Sequence, residues 1–312
     1  MRITEIGAGT IGVSWTVLHA VHGHEVTVTD PRPDLDEAVR AGVRAFAPAL
    51  GADPDELLGR IRTEAELAPA VGNAEIVQEQ GPERLAVKQE IFTTTGAAAP
   101  ADALLLTSTS GIPASEIAAG LDPAVAARLV VAHPFNPPHL LPLVELVAGA
   151  ATAPETVERA AAFLRTVGKD PVVEHLEVPG FVANRLQSAL FREAVSLVLR
   201  GVVTPAELDR VVTGSLGPRW ATGGPFLSFH LGGGAGGLRH MLTHLGPGMT
   251  RRWADLGNPT LDDETVEALV TGTEAAYGDD YDALATTRDR AQVAVLRSRE
   301  TTESSESTEE SR

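Results

Sequence analysis

No cysteine occurs in the 312 residues, which excludes disulfides, thiolate metal sites and a cysteine nucleophile. Hydrophobic residues make up 43% of the chain, yet no uninterrupted apolar run approaches the ~20 residues a bilayer-spanning helix needs. The opening MRITEIGAG lacks an apolar signal-peptide core, because strand-like alternation leads straight into a glycine turn. These absences set the expectation of a cytoplasmic protein with no membrane partner. Basic side chains are also scarce, 25 against 42 acidic ones for a net charge of −17, and lysine occurs only at Lys88 and Lys169. A phosphate backbone requires a basic surface, so nucleic acid is excluded as a partner. The acidic balance speaks to solubility rather than to fold. Residues 299–312, RETTESSESTEESR, offer no apolar side chain to bury and are expected to form a disordered acidic tail.

What the chain does have begins with IGAGTIG. Gly7, Gly9 and Gly12 form G-x-G-x-x-G between a short strand, RITEI, and a helical segment that starts at Thr10 and Ile11. Glycine allows the tight turn and the close backbone approach that bring a pyrophosphate to a helix N-terminus. A second strand, HEVTVTD, ends at Asp30, where an acid can accept hydrogen bonds from an adenosine ribose and repel a 2′-phosphate. NAD is therefore expected as cofactor, with Arg32 keeping an NADP reading open.

The alternation continues. Segments 74–80 and 103–110 are apolar runs with polar ends, as buried parallel strands should be, and PERLAVKQEIF between them has helical spacing. RLVVAHPFNP, LLPLVELV and DPVVEHL read as further strands. Ligands bind beyond the carboxyl ends of such strands, and Ser110, His133 and Asn136 fall there. TAPETVERAAAFLRTVGK is expected to be a helix with a capping box from Thr152 and Glu155. Pro179-Gly180 marks the domain boundary. Beyond it lies a long amphipathic helix with Leu186, Leu190, Val195 and Leu199 turned inward, then TPAELDRVV with a Thr204–Glu207 box. The expected fold is thus α/β: a Rossmann-type doubly wound sheet over residues 1–178, a smaller all-α domain over 179–298, and the tail.

IGAGTIG, TSTSG, AHPFNP…LVEL and VPGFVANRL, in that order, resemble the 3-hydroxyacyl-CoA dehydrogenase superfamily over about residues 1–298. The resemblance implies an NAD-dependent dehydrogenase acting on a 3-hydroxy or 3-oxo acyl compound. It assigns His133 as general acid/base, Glu145 as its carboxylate partner, and Ser110 and Asn184 as groups at the substrate oxygen. It further places Asn136 near the nicotinamide, Glu83 and Lys88 near the cofactor, and a homodimer contact in the helical domain, where the apolar stretches around Phe226 to Leu242 offer surface for it. Imidazole suits the proton transfer because its pKa lies near working pH. HPFNPPHLLPLVE departs from the HFFNPVPVMKLVE usual in CoA-ester enzymes. QEQGPERLAVK, GPRWATGGPF and DPRPDLDEAVRAGV look more like the carnitine dehydrogenase branch, with λ-crystallin/L-gulonate dehydrogenases and polyketide ketoreductases beside it. A non-catalytic, crystallin-like structural role is the remote alternative.

The histidine groups His19/His22/His24 and His240/His244 have spacings that invite a metal, but no carboxylate motif accompanies them, so no metal is expected. GGGAGG (232–237) lacks a P-loop lysine and reads as a connection between helices.

Overall fold

Eight strands form one sheet: β1 (Arg2–Ile6), β2 (Glu25–Thr29), β3 (Ile61–Thr63), β4 (Ile76–Glu79), β5 (Leu104–Thr107), β6 (Leu129–Pro134), β7 (Leu143–Ala148) and β8 (Asp170–Glu174). Their order is β3-β2-β1-β4-β5-β6-β7-β8. This is a computed structural model, and it describes residues 1–309. The strands β1 to β6 are mutually parallel, and the central ones are buried along their length, which is why they read as continuous apolar runs. β3, a three-residue edge strand, carries too little pattern to be legible in advance.

The sheet reverses after β6. β7 runs antiparallel to it and β8 runs parallel to β7. The cause is loop length: a parallel crossover takes a dozen or more residues, and the chain between Pro134 and Leu143 is shorter than that. Hence β6 and β7 pair as neighbours, with His133 directly opposite Glu145.

Helices cover the sheet. Trp15 and Leu18 from the helix Thr10–Val21 pack with Phe163 and Leu164 from the helix Pro154–Thr166 against Ile3, Leu104, Val130 and Leu146. The helix Pro154–Thr166 starts without the expected capping box. Its N-cap is Ala153, and the Thr152 hydroxyl instead donates to the Leu129 carbonyl at 2.7 Å. A tertiary acceptor on the sheet outcompetes the local one.

The chain divides into two units, Met1–Arg185 and the part from Leu186 onward. The second is helical, built on residues 186–199 of the helix Phe181–Leu199 and on Pro205–Val211, Gly217–Gly232, Gly237–Asp255 and Asp263–Tyr277. Thr204 and Glu207 do make their capping box. GGGAGG forms one 3-10 turn, Gly234–Gly236, between two of these helices. In the amphipathic helix Val195 is buried, whereas Leu186, Leu190 and Leu199 are exposed and not turned inward. The last helix, Tyr281–Glu309, carries helical backbone into the acidic segment, which has no glycine or proline to stop it. Residues 310–312 of that segment lie outside the described residues.

Candidate active site

His133 is the last but one residue of β6, its ring almost closed off from solvent, and Glu145 projects from the facing position of β7. Their contact is His133 Nδ1 to Glu145 Oε2, 2.7 Å. An ionised carboxylate can only accept, so Nδ1 carries the proton, and in the neutral ring Nε2 is the atom with the lone pair. Burial pushes the Glu145 carboxyl up. The His133 hydrogen bond and the Ala183 N–H outweigh it and hold the group below the usual carboxylate range. The Ala183 N–H donates to Glu145 Oε1 at 2.7 Å, which ties the acid to the first turn of the helix Phe181–Leu199. Phe181, fully buried, sets its ring 5.6 Å from the His133 ring, and Phe135 sets another at 5.1 Å.

A second group forms around the end of β5. Glu83 Oε1 accepts from the Thr109 hydroxyl (2.6 Å) and from the N–H groups of Ser110 (3.0 Å) and Gly111 (3.1 Å). Burial raises the Glu83 pKa, but these donors and Lys88 win and lower it. Asn184 Nδ2 donates to the Ser110 carbonyl at 2.8 Å, leaving its Oδ1 and second N–H for other partners. Ser110 and Asn184 are therefore brought together, and Glu83 holds their loop. Asn136 lies exposed on the loop that follows His133.

Lys88 differs from the simple reading of its spacing from Glu83. It is 1% exposed and reaches Glu79 at 2.9 and 3.0 Å, with Glu83 farther off at 3.3 Å. Burial raises the Glu79 pKa against the pull of Lys88 and the Thr107 hydroxyl. Two acids thus escaped the reading of the sequence: Glu79 in β4, and Glu174 at the end of β8. Glu174 accepts from the Val182 N–H at 3.0 Å, one residue before the amide that Glu145 takes. The only available signal was an acid at the tail of an apolar strand.

The glycine turn fits a dinucleotide. Gly7 adopts φ +111°, where side chains are strained, and a Cβ on Gly12 would stand 1.8 Å from the Gly7 carbonyl oxygen. A Cβ on Gly9, by contrast, would meet nothing within 4 Å, so the loop leaves room on that side. No side chain caps the helix Thr10–Val21, and its first turn holds no acid, so its amide end suits a phosphate. Asp30 follows β2, its Oδ2 accepting from the Ala8 N–H (2.8 Å) and its Oδ1 from the Arg32 N–H (3.0 Å). Arg32 is engaged by Asp34 through two contacts of 2.8 Å. A cavity of about 460 Å³ opens here, lined by Gly7, Asp30, Pro31, Leu67, Val87 and Ile91 among others.

Among the described residues no group of three or more His, Cys, Asp or Glu could hold a metal ion, and no helix is long and apolar enough to cross a membrane. His19 is a buried partner of Glu5 at 2.7 Å, and His22 bonds the Leu18 carbonyl. Burial, the amino terminus and the neighbouring imidazoles push His24 down to about 4.

Residues 2–177 match the family model of the 3-hydroxyacyl-CoA dehydrogenase NAD-binding domain, and 180–278 match that of its C-terminal domain. An L-carnitine dehydrogenase of Streptomyces griseus is 43% identical over 95% of this chain and 89% of its own. The crystal structure of 5-formyl-3-hydroxy-2-methylpyridine 4-carboxylic acid 5-dehydrogenase, an NAD⁺-dependent dismutase, is similar with a TM-score of 0.81 and 32% identity, covering 96% of this chain and 98% of that one. Escherichia coli 3-hydroxybutyryl-CoA dehydrogenase follows at TM-score 0.62 and 29% identity, over 74% of this chain and 49% of that one. This chain belongs to the 3-hydroxyacyl-CoA dehydrogenase family and is an NAD-dependent oxidoreductase that transfers hydride between NAD(H) and the C3 carbon of a 3-hydroxy or 3-oxo acyl compound.

Proposed function

We propose that His133 is the general base of the oxidation and that its substrate is a small 3-hydroxy acid of the L-carnitine type. The observation that carries the assignment is the 2.7 Å contact from His133 Nδ1 to Glu145. It directs the free Nε2 at the substrate hydroxyl and stabilises the imidazolium that forms when the proton arrives. Ser110 and Asn184, joined through the Ser110 carbonyl, supply the groups that hold the substrate oxygen. Gly7, Gly9, Thr10, Ile11 and Gly12 would hold the pyrophosphate and Asp30 the ribose. Glu83 and Lys88 act on the cofactor side by fixing the Ser110 loop, and Asn136 lines the nicotinamide end. Bound NAD supplies the hydride acceptor.

The choice of substrate is supported by the 43% identity to an L-carnitine dehydrogenase and by HPFNPPHLLPLVE, which departs from the CoA-ester pattern. A substrate panel read by NADH absorbance tests it: L-carnitine, 3-hydroxybutyryl-CoA, L-gulonate, free 3-hydroxybutyrate and a polyketide-like β-keto ester. Turnover of L-carnitine well above the rest supports the reading. Preference for the thioester returns the chain to fatty-acid chemistry, and preference for the β-keto ester makes it a ketoreductase. A homodimer built on the helical unit is part of the same proposal, supported by exposed Leu186, Phe226, Leu231 and Leu242. Light scattering of the full chain reads it directly. A cytoplasmic setting, where NAD(H) is available, completes the reading.

A further inference from the structure

Glu145 is not the only carboxyl that holds the start of the helix bearing Asn184. Glu174 ends β8, the strand parallel to and paired with β7. Its Oε1 accepts from the Val182 N–H at 3.0 Å, while Glu145 Oε1 accepts from the next amide, Ala183, at 2.7 Å. Two consecutive amides of one helix start are therefore each taken by an acid from adjacent strands. Burial raises the Glu174 pKa, the Val182 N–H pulls it back, and the neighbouring charge of Glu145 raises it further.

Three features make the turn sensitive to this double hold. Gly180 has φ +77° and Phe181 φ +49°, the latter in the left-handed region that non-glycine residues avoid. Phe181 packs against the His133 ring at 5.6 Å, so a shift of the turn moves the base. Asn184, three residues on, donates to the Ser110 carbonyl. Through this one turn, Glu174 bears on every group assigned to the substrate oxygen.

We propose that Glu174 is a positioning residue of the dehydrogenase site, whose carboxyl, side by side with Glu145, locks the first turn of the Asn184 helix onto the His133–Glu145 pair. It touches neither substrate nor cofactor. The inference rests on the assignment of His133 and Glu145, and it makes a statement about backbone order that can be read without substrate. Glutamine is the informative replacement. Its Oε1 can still accept from the Val182 N–H, as the carboxyl does. Alanine cannot.

The test compares Glu174→Ala and Glu174→Gln by amide hydrogen exchange over residues 178–186, by NADH affinity, and by steady-state kinetics on the substrate chosen by the panel. In Glu174→Ala the exchange of Val182 and Ala183 should quicken by about tenfold or more, and kcat should fall about tenfold. NADH affinity should stay within about twofold, because the cofactor turn lies at the ends of β1 and β2. Glu174→Gln should restore both exchange and kcat to near the parent values. Parent-like exchange in Glu174→Ala overturns the proposal even if no panel substrate is turned over, which separates its failure from that of the substrate reading. Equal loss in the glutamine and alanine variants also overturns it, since the residue would then act by charge alone. A fall in NADH affinity matching the fall in kcat overturns it too, since the damage would be general.

Discussion

His133 and Glu145 are direct cross-strand partners, one on β6 and one on β7, and their side chains meet at 2.7 Å with both buried. The reversal of the sheet makes this possible. Had β7 run parallel to β6, residues twelve apart could not face each other across one ladder. A general base typically contributes about 10²–10⁴-fold. His133→Ala should therefore lower kcat by roughly that factor while leaving NADH binding intact, since the cofactor cradle is built from other elements. Turnover near that of the parent would remove His133 from the mechanism.

Glu145→Gln should cost less, because the imidazole remains. Glu145 is held ionised by His133 and the Ala183 N–H. The carboxylate orients the ring and stabilises the positive charge that develops on it as the proton is taken, so removing the charge should lower kcat while leaving NADH affinity unchanged. Steady-state rates and NADH binding of the variant decide this, and turnover equal to that of the parent would leave Glu145 a structural acid.

Much of this site was legible because its signals are local. The three glycines, the acid just after β2 and the histidine ahead of three prolines each state their role within a dozen residues. The residues that escaped depend on pairings across strands. Lys88 could be linked to Glu83 by helical spacing, but its nearer partner Glu79 lies on β4. Glu174 meets Glu145 only because β8 lies beside β7. Thr152 had the sequence of a helix cap and spent its hydroxyl on the Leu129 carbonyl, an acceptor that only the folded sheet supplies. Leu186, Leu190 and Leu199 followed the helical period correctly, yet the period says nothing about what covers them.

Lys88 and Glu79 make a buried ion pair, 1% and 0% exposed at their side chains. Removing one partner of such a pair leaves a charge without compensation and costs about 3–5 kcal/mol. Lys88→Met should destabilise the protein by that order. The double variant Lys88→Met/Glu79→Leu should recover most of the loss, since apolar replacements can fill the same space. Denaturant melts of the single and double variants check this, and additive losses would contradict it.

Lys169 is the other lysine, buried with its Nζ donating to the carbonyls of Pro138 and Leu141 and lying 5.2 Å from the centre of the Trp15 ring. Burial pushes it down from 10.5 to about 7. Between these values the unfolded chain binds the additional proton, so this group makes stability rise as pH increases from about 7 to 10.5. A cation over an indole perturbs its emission. Trp15 fluorescence should therefore titrate near pH 7, and Lys169→Met should abolish the step. A flat signal between pH 5 and 9 in the parent would show that Lys169 stays charged.

Asp30 offers the sharpest test of the cofactor site. Its two oxygens already accept from Ala8 and Arg32 N–H groups, which fixes the carboxylate at the rim of the cavity beside Gly7. In that position it can still accept from ribose hydroxyls, each carboxylate oxygen having a second lone pair. Its charge opposes a 2′-phosphate, and Arg32, the nearby cation that might have welcomed one, is paired with Asp34. NAD(H) should therefore bind more tightly than NADP(H). Hydrogen bonds to a charged group contribute about 1.5–3 kcal/mol, so Asp30→Ala should weaken NAD binding by roughly 10–100-fold while NADP binding changes little or improves. Calorimetry on both proteins with both cofactors reads the four affinities. Equal affinities in the unmodified protein would take the ribose contact away from Asp30 and would return Arg32 as the residue that selects the cofactor.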